Sequence, residues 1–528
     1  MAIKISGTTV IDDSRNVTDV ENVGDANTVY NGSGANLTGV QAGSASFTAS
    51  GAISNGDPVV INSNGTVSTA VRTGDSKPSA GTPTTFEDGT VPTGAAVAYH
   101  PDSGKFVIAF SDQDDSNKGK ALLATVSGDS VTFSDPVVFY SSTVDEFIDI
   151  TYVSDDAKIV ITFRTTSDGR AVVGTVSDDG SSISFGSSTQ FNNQTIGSNS
   201  VCYHAAKKRL IIAFRWNGNN NYGAAVAGTI SGTSISYNSK YQFKSNNTDN
   251  MKIVYEPVAE KAVIFFKDFR NGNSGSERGA CCTADVNATN GAISYSSINF
   301  FNDSSSHQNT GAAYDPDSGK IIVSFKGYSS GNKSRARTVA VNADNTFTFG
   351  TVYEFDTTDN REDVVVYSSL EQKALIAYRD GSDSNKGKMV SATVTGTAIT
   401  FSSDTTFEDG AAVYIGGDYD SATGKILLGY KDDDESNDIG KAVVVNTDGR
   451  TANLTSENYI GIAAEAISDG SSGSITIAGG TNTGVTGLTT GAKTFVLRDG
   501  DFSTTASIPS VVAGTATSDT KIIVRTFS

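Results

Sequence analysis

Short apolar runs recur along this chain at a near-constant interval, each in the same place relative to its polar punctuation. The string KFVIAF at 105–110 returns as KIVITF (158–163), RLIIAF (209–214), KAVIFF (261–266), KIIVSF (320–325), KALIAY (373–378) and KILLGY (425–430). Eleven residues before each closing aromatic stands a tyrosine: Tyr99, Tyr152, Tyr203, Tyr255, Tyr314, Tyr367 and Tyr419. Successive tyrosines are 53, 51, 52, 59, 53 and 52 residues apart, so the middle of the chain is a repeat in constant internal register.

Each copy predicts four strands. The first is short and ends at the tyrosine. The second, the basic-apolar-aromatic string, is apolar on both faces, as a strand covered on both sides must be. The third follows a glycine, as in Gly119-Lys-Ala-Leu-Leu-Ala-Thr-Val126. The fourth alternates, as in Val131-Thr-Phe133 and Ile183-Ser-Phe185, which marks one wet face. Turn residues such as Pro101-Asp-Ser-Gly104 separate the runs. A four-stranded antiparallel unit of about 50 residues that cannot cover its own faces is a propeller blade. The expected fold is therefore all-β: a seven-bladed β-propeller over 80–455. Phe110, Phe163 and their equivalents are read as packing between blades.

The string TTFEDG at 84–89, ahead of the first copy, recurs at 405–410 ahead of the last. The N-terminal copy can add an outer strand to the last blade. Ala452-Asn-Leu454 offers a weak alternative fourth strand there. Outside the ring, Ala52-Ile-Ser-Asn-Gly56 is echoed by Ala466-Ile-Ser-Asp-Gly470, and Asn64-Gly-Thr-Val-Ser-Thr69 by Asp499-Gly-Asp-Phe-Ser-Thr504. Residues 43–75 and 456–528 are thus expected to form one small β-sandwich or barrel-like domain, split by the inserted ring. Residues 1–42 are too short and polar to fold alone and are read as an extended arm that is flexible or orders against another chain.

Composition adds exclusions. A formal charge of −19 disfavours nucleic acid and anionic membranes as partners. No apolar stretch approaches the ~20 residues of a membrane span, and the opening MAIKISGTTV has no signal-peptide h-region. Cys202, Cys281 and Cys282 have neither disulfide nor metal spacing and read as buried small hydrophobes.

The opening KISGTTVIDDSRNVTDV resembles the N-termini of tail-fibre and related virion proteins of marine, cyanophage-like bacteriophages. The flanks FTASGAISNGDPVVINSNGTVS, ENYIGIAAEAISDGSSGSITIAGG, GLTTGAKTFV and PSVVAGTATSDTKIIV are similar to a module of the same proteins. The resemblance covers about 150 residues at the two ends. It implies a virion-surface protein, made in the host cytoplasm, that assembles with other virion proteins and as a homo-oligomer, commonly a trimer. Its displayed ring would bind a host receptor or glycan; a capsid-decoration or tail component is the alternative, and a glycan-degrading propeller a third class.

Long loops gather at one end of the ring, where binding residues belong. Arg215, Trp216 and Tyr222, then Phe269 and Arg270, then Tyr328 combine aromatic and basic side chains suited to sugar stacking or a protein hot spot. Acidic loops Asp112-Gln-Asp-Asp-Ser-Asn117 and Asp432-Asp-Asp-Glu-Ser-Asn437 place Asp112, Asp114, Asp432 and Asp434 at spacings that could serve Ca²⁺, although the EF-hand pattern is absent and ordinary turn chemistry is the preferred reading. Catalysis finds little support. Arg164, Arg215 and Arg379 occupy matching positions, but no sialidase-type S-x-D-x-G-x-T-W turn accompanies them, and His100, His204 and His307 have no nucleophile arrangement around them.

Overall fold

A computed structural model describes residues 3–5, 8–11, 43–269, 277–302, 307–327, 333–357, 360–434 and 438–525. Among them the regular structure is β-strand with two three-residue 3₁₀ turns and no α-helix.

The first repeat shows the plan. Its inner strand Ala96–His100 pairs with Lys105–Asp112, and that strand with Lys118–Ser127. The outer position is filled by two pieces end to end, Ser130–Phe133 and Val137–Thr143, both paired to Lys118–Ser127. The second piece continues the alternating fourth strand and is absent from the expected unit. Three sheets of the ring hold one such unit each, and two nine-stranded sheets hold two each. In those two, Tyr241–Glu256 and Thr405–Tyr419 run unbroken from the outer edge of one unit to the inner edge of the next. The inner strands touch in the cyclic order Ala96–His100, Glu146–Val153, Ile196–His204, Tyr241–Glu256, His307–Asp315, Asn360–Ser368 and Thr405–Tyr419, which closes back on the first. Seven units in a closed cycle of face-packed antiparallel sheets form an all-β, propeller-like ring.

One aromatic contact repeats around the cycle. A phenylalanine from the second outer piece of each unit lies on the second-strand aromatic of the next. The pairs are Phe139–Phe163 (centroids 5.3 Å), Phe191–Phe214 (5.4 Å), Phe243–Phe266 (5.1 Å), Phe301–Phe325 (5.6 Å), Phe355–Tyr378 (5.4 Å) and Phe407–Tyr430 (5.3 Å), with Phe86–Phe110 (5.2 Å) completing the circle. Such tilted pairs add about 0.5–1.5 kcal/mol each beyond burial. The glycine ahead of the third strand now has a reason. A Cβ on Gly119, Gly223 or Gly440 would stand 2.4–2.5 Å from the ring of Phe139, Phe243 or Phe86.

The repeat tyrosines clasp the opposite end of the ring. Tyr152 donates to Asp102, Tyr203 to Asp155 (2.6 Å) and Tyr367 to Asp317, in each case in the first turn of the preceding unit. Tyr419 instead accepts from the Leu370 amide at 3.0 Å. His100 and His204 are buried and spend Nε2 on the carbonyls of Ala157 (3.1 Å) and Glu260 (3.0 Å) in the following unit. Burial lowers the His204 pKa, so that ring sits neutral as a structural link.

At the seam the N-terminal segment supplies the outer strand of the last unit. Ser79–Ala80 and Thr84–Glu87 pair with Gly440–Asn446. The alternative from the C-terminal side does not form. Thr451–Ala452 pairs with Arg72–Thr73, and Leu454 is buried in the core of the flanking domain. By leaving the ring on that route the chain brings Leu454 into the core of the sandwich.

The flanks form two sheets. Ser44–Thr48, Ser472–Thr476, Tyr459–Ala463, Pro58–Ile61 and Val67–Thr69 make one, in that order, so both ends of the chain share a sheet. Residues 481–524 make the other, and Val60, Tyr459 and Ile462 pack against Val496, Val511 and Ile522 between them. The two echoed segments meet. Ile53 and Ile467 exchange both backbone hydrogen bonds, at 2.9 and 2.8 Å.

This sandwich docks on the tyrosine end of the ring through ions. Glu371, in the turn after Asn360–Ser368, accepts two bonds from Arg72 (3.0 and 3.1 Å) and two from Arg498 (2.5 and 2.7 Å). Asp448, with no side-chain exposure, pairs with Arg72 of the sandwich at 3.4 Å and, on its own side, with Lys373 and Arg450 at 2.8 Å.

Two outcomes follow from this packing. Phe86→Ala, which opens the seam at a half-buried ring, is expected to cost about 1.5–3 kcal/mol in chemical denaturation. For Asp448, burial alone would raise the carboxyl, but bonds from Arg450 and Lys373 outweigh it and hold the pKa below the ordinary value. Its stabilisation is then present above the unfolded pKa of about 3.9 and lost as pH falls through the folded value. The melting temperature of Asp448→Asn should lie below wild type at pH 7, with the gap narrowing once the pH drops under about 4.

Candidate functional site

The inner strands start at the end of the ring that carries the second-to-third-strand loops. Just inside that end the ladder slips, between Glu146 and Asp149, Ile196 and Asn199, Asp249 and Lys252, and Val413 and Gly416. Five residues before the repeat tyrosine, four of the units adopt a left-handed backbone: Gly94 (φ 69°), Phe147 (55°), Asn250 (47°) and Tyr414 (52°). Glycine and asparagine accept that conformation readily; for phenylalanine and tyrosine it costs about 1–3 kcal/mol. Phe147, Asn250 and Tyr414 line the mouth of a central cavity of ≈660 Å³. The Tyr414 side chain, 50% exposed, stands over the space that a Cβ on Gly94 would take. The Arg164 guanidinium lies 5.1 Å from the Phe147 ring centroid and pairs with Asp145 (2.5 Å) and Glu146 (3.1 Å).

Inside the cavity, side chains serve the unpaired edges of the inner strands. Asp149 accepts from the Ser200 hydroxyl (2.8 Å) and the Val201 amide (2.9 Å) of the next unit. Asp418 accepts from the Tyr99 amide (2.7 Å) across the seam and from the Tyr419 amide (2.8 Å). The Ser198 and Ser200 hydroxyls accept the Met251 and Ile253 amides at 3.3 Å. Burial pushes the Asp418 carboxyl up to about 6, with the two amides and Lys252 opposing it.

The loop residues expected to bind a ligand are divided. Arg215, Trp216 and Tyr222 come together, since Trp216 pairs with Tyr222 across the second and third strands. Arg215 is held by Asp249 (2.8 Å) and Asn217 (2.9 Å). Trp216 is half-buried, donates to Gln194 (2.5 Å) and carries the Lys240 ammonium 4.2 Å above its ring. Its faces are thus largely spent within the chain. Phe269 lies on the next unit under Lys267, at 4.7 Å. Arg270 and Tyr328 lie outside the described residues, as does the side chain of His307.

The acidic-loop residues have other partners. Asp112 accepts from the amides of Asp114 (2.9 Å) and Asp115 (3.2 Å) and pairs with Lys120 at 2.5 Å. Asp432 accepts from the Asp434 amide (3.2 Å) and pairs with Lys441 at 2.5 Å, and Asp434 accepts the Ala411 amide at 2.9 Å. Lysine ammoniums occupy the ground a Ca²⁺ ion would need, and no cluster of three metal-ligating side chains occurs among the described residues. Cys202, Cys281 and Cys282 are buried and unbridged.

The rim and lumen residues Phe147, Asn250, Tyr414, Asp149, Asn199, Lys252 and Asp418 lie on or beside the inner strands and not on the loops expected to bind. Their signal is a column of the repeat: the position five before the tyrosine holds glycine or asparagine in some copies and an aromatic in two.

No family model matches the chain, and no curated protein matches it. Among solved structures it is similar to Sqt1 of Saccharomyces cerevisiae, at 10% identity and TM-score 0.38, over 68% of this chain and 86% of that one. A protein from Lactobacillus plantarum matches at 13% identity and TM-score 0.42, over 61% and 86%. A polysaccharide lyase of family PL25, an ulvan lyase bound to -[GlcA(1-4)Rha3S]-, matches at 11% identity and TM-score 0.45, over 69% and 96%. The class of this protein, an all-β propeller-like ring, rests on its own sheets.

Asp418 makes the cavity sensitive to pH. Because its folded pKa is raised, its contribution to stability is fully present below the unfolded value near 3.9 and is lost as pH rises through about 6. The change in melting temperature from pH 8 to pH 5 should therefore be more favourable in wild type than in Asp418→Ala.

Proposed function

We propose that the chain is a virion fibre or spike subunit that presents its ring to a host surface, binding there without catalysis. The observation that carries this reading is the pair of left-handed aromatics, Phe147 and Tyr414, at the mouth of the ring. Backbone strain of this kind persists where the side chain it presents is useful. Packing does not require it, since the equivalent position is Gly94 in the first unit. The contacts of the sandwich with the ring lie at the other, tyrosine end, through Glu371 and Asp448. An attached base and an opposed rim suit display, and the arm at 1–42, with its resemblance to fibre N-termini, supplies the attachment.

The test uses glycine variants. Phe147→Gly and Tyr414→Gly remove the rings and relieve the strain together, so each should keep or raise the melting temperature while saturable binding of the purified chain to host cells falls at least about tenfold, the loss of roughly 1.4 kcal/mol. Wild-type protein that is folded and assembled but does not bind would leave a structural virion role in its place.

A further inference from the structure

At the tyrosine end, away from the rim, the sandwich and the ring enclose a cleft of ≈580 Å³, a volume in the range of small-molecule sites. The ring contributes the 369–373 turn, Tyr419, Ser421 and Arg450; the sandwich contributes Arg72, 497–499 and 503–508. Four cations stand at this cleft, Arg72, Lys373, Arg450 and Arg498, and two buried carboxylates, Glu371 and Asp448, receive all of them. Counting the exposed Asp499 as a third carboxylate still leaves one positive charge unmatched, in a chain whose net charge is −19. Charge withdrawn from water without a counter-charge is costly. Arg450 uses Nε (3.0 Å) and Nη2 (2.8 Å) on Asp448, while its Nη1 has no partner among the described residues. Its side chain is 36% exposed, so that donor is within reach of a solute.

A second observation comes from the repeat itself. Tyr152, Tyr203 and Tyr367 donate to Asp102, Asp155 and Asp317, each three residues after the preceding repeat tyrosine. Ahead of Tyr419 that place is held by Leu370. The Tyr419 hydroxyl accepts from the Leu370 amide (3.0 Å) and the Ser369 hydroxyl (3.3 Å), and its own proton has no acceptor among the described residues. A tyrosine that meets a carboxylate in three other units here turns a spare donor to a cleft with surplus positive charge.

We infer that this cleft binds a small oxyanion, of carboxylate, sulfate or phosphate type, which takes the part of the missing aspartate. Tyr419 and Arg450 donate to it, and the more deeply buried Arg72 and Arg498 add attraction without touching it. Guanidinium donors match the geometry of such groups. The acidity of the whole chain opposes an anion from afar, but that field is screened beyond about 8–10 Å at physiological ionic strength. Held between the two walls, the anion fastens the sandwich to the ring. The site is separate from the rim and independent of host binding.

The experiment titrates the full chain by calorimetry with citrate, sulfate and phosphate in turn, against chloride of matched ionic strength. Saturable binding of at least one, with a dissociation constant below about 1 mM, is expected, and the anion that binds identifies the type. Ser421 and Thr505 are exposed on opposite walls and make no side-chain hydrogen bond among the described residues. A glutamate at either adds a competing carboxylate without removing a contact. Ser421→Glu and Thr505→Glu should each bind the anion at least about tenfold more weakly than Ser421→Gln and Thr505→Gln, at melting temperatures no lower than those of the glutamine variants. Tyr419→Phe, with its melting transition intact, should weaken binding about tenfold, the loss of one hydrogen bond to a charged group. No saturable binding of any of the three anions below about 1 mM, both glutamate variants binding as tightly as their glutamine counterparts, or Tyr419→Phe equal to wild type overturns the inference.

Discussion

Every unit of the ring lays a phenylalanine from its outer edge on the second-strand aromatic of its neighbour, and the rest of the architecture is built around that contact. A four-stranded sheet covered on neither face cannot persist in water, so each unit depends on two others. The phenylalanine reaches its partner by crossing the third strand, and the glycine beneath it is the space that makes the crossing possible. Closure follows from the same need. Without Phe86 the aromatic face of Phe110 would have no cover, and the N-terminal strand that carries Phe86 is drawn into the last unit, fastening the first and last copies together.

The two ends of the ring then diverge in character. At one end the tyrosines and histidines bond to the turns of neighbouring units, and the sandwich locks on through Glu371 and Asp448. That end is occupied. At the other, the inner strands slip register and turn left-handed, so their side chains face the mouth and not a neighbouring sheet. Bulges are a recurrent means of re-aiming a side chain next to a site. Here they convert the closed edge of a structural repeat into a rim whose residues differ from copy to copy.

Much of the fold was legible in the chain. The second strand is apolar on both faces, and Phe110, Phe163 and Phe214 have no exposed surface. The duplicated TTFEDG marked the seam because the outer strand of the last unit comes from another part of the chain yet must satisfy the same neighbours. The candidate site was less legible. Trp216 drew attention as the only tryptophan, but Gln194 and Lys240, 22 and 24 residues from it in sequence, come over it only in the folded unit. Phe147 and Tyr414 looked like ordinary strand residues, since a sign of φ leaves no mark in an apolar pattern.

The sequence by itself determined the repeat, its strand periodicity and the aromatic positions that stack between units, because these depend on local alternation and on hydrophobic burial that any one copy reveals. Only the tertiary structure decided which edge backbone groups needed a partner and which side chains met in the lumen. Asp149 and Val201, or Asp418 and Tyr99, are brought together by closing a ring of separate sheets, and distances across a ring are set by geometry that no single repeat contains.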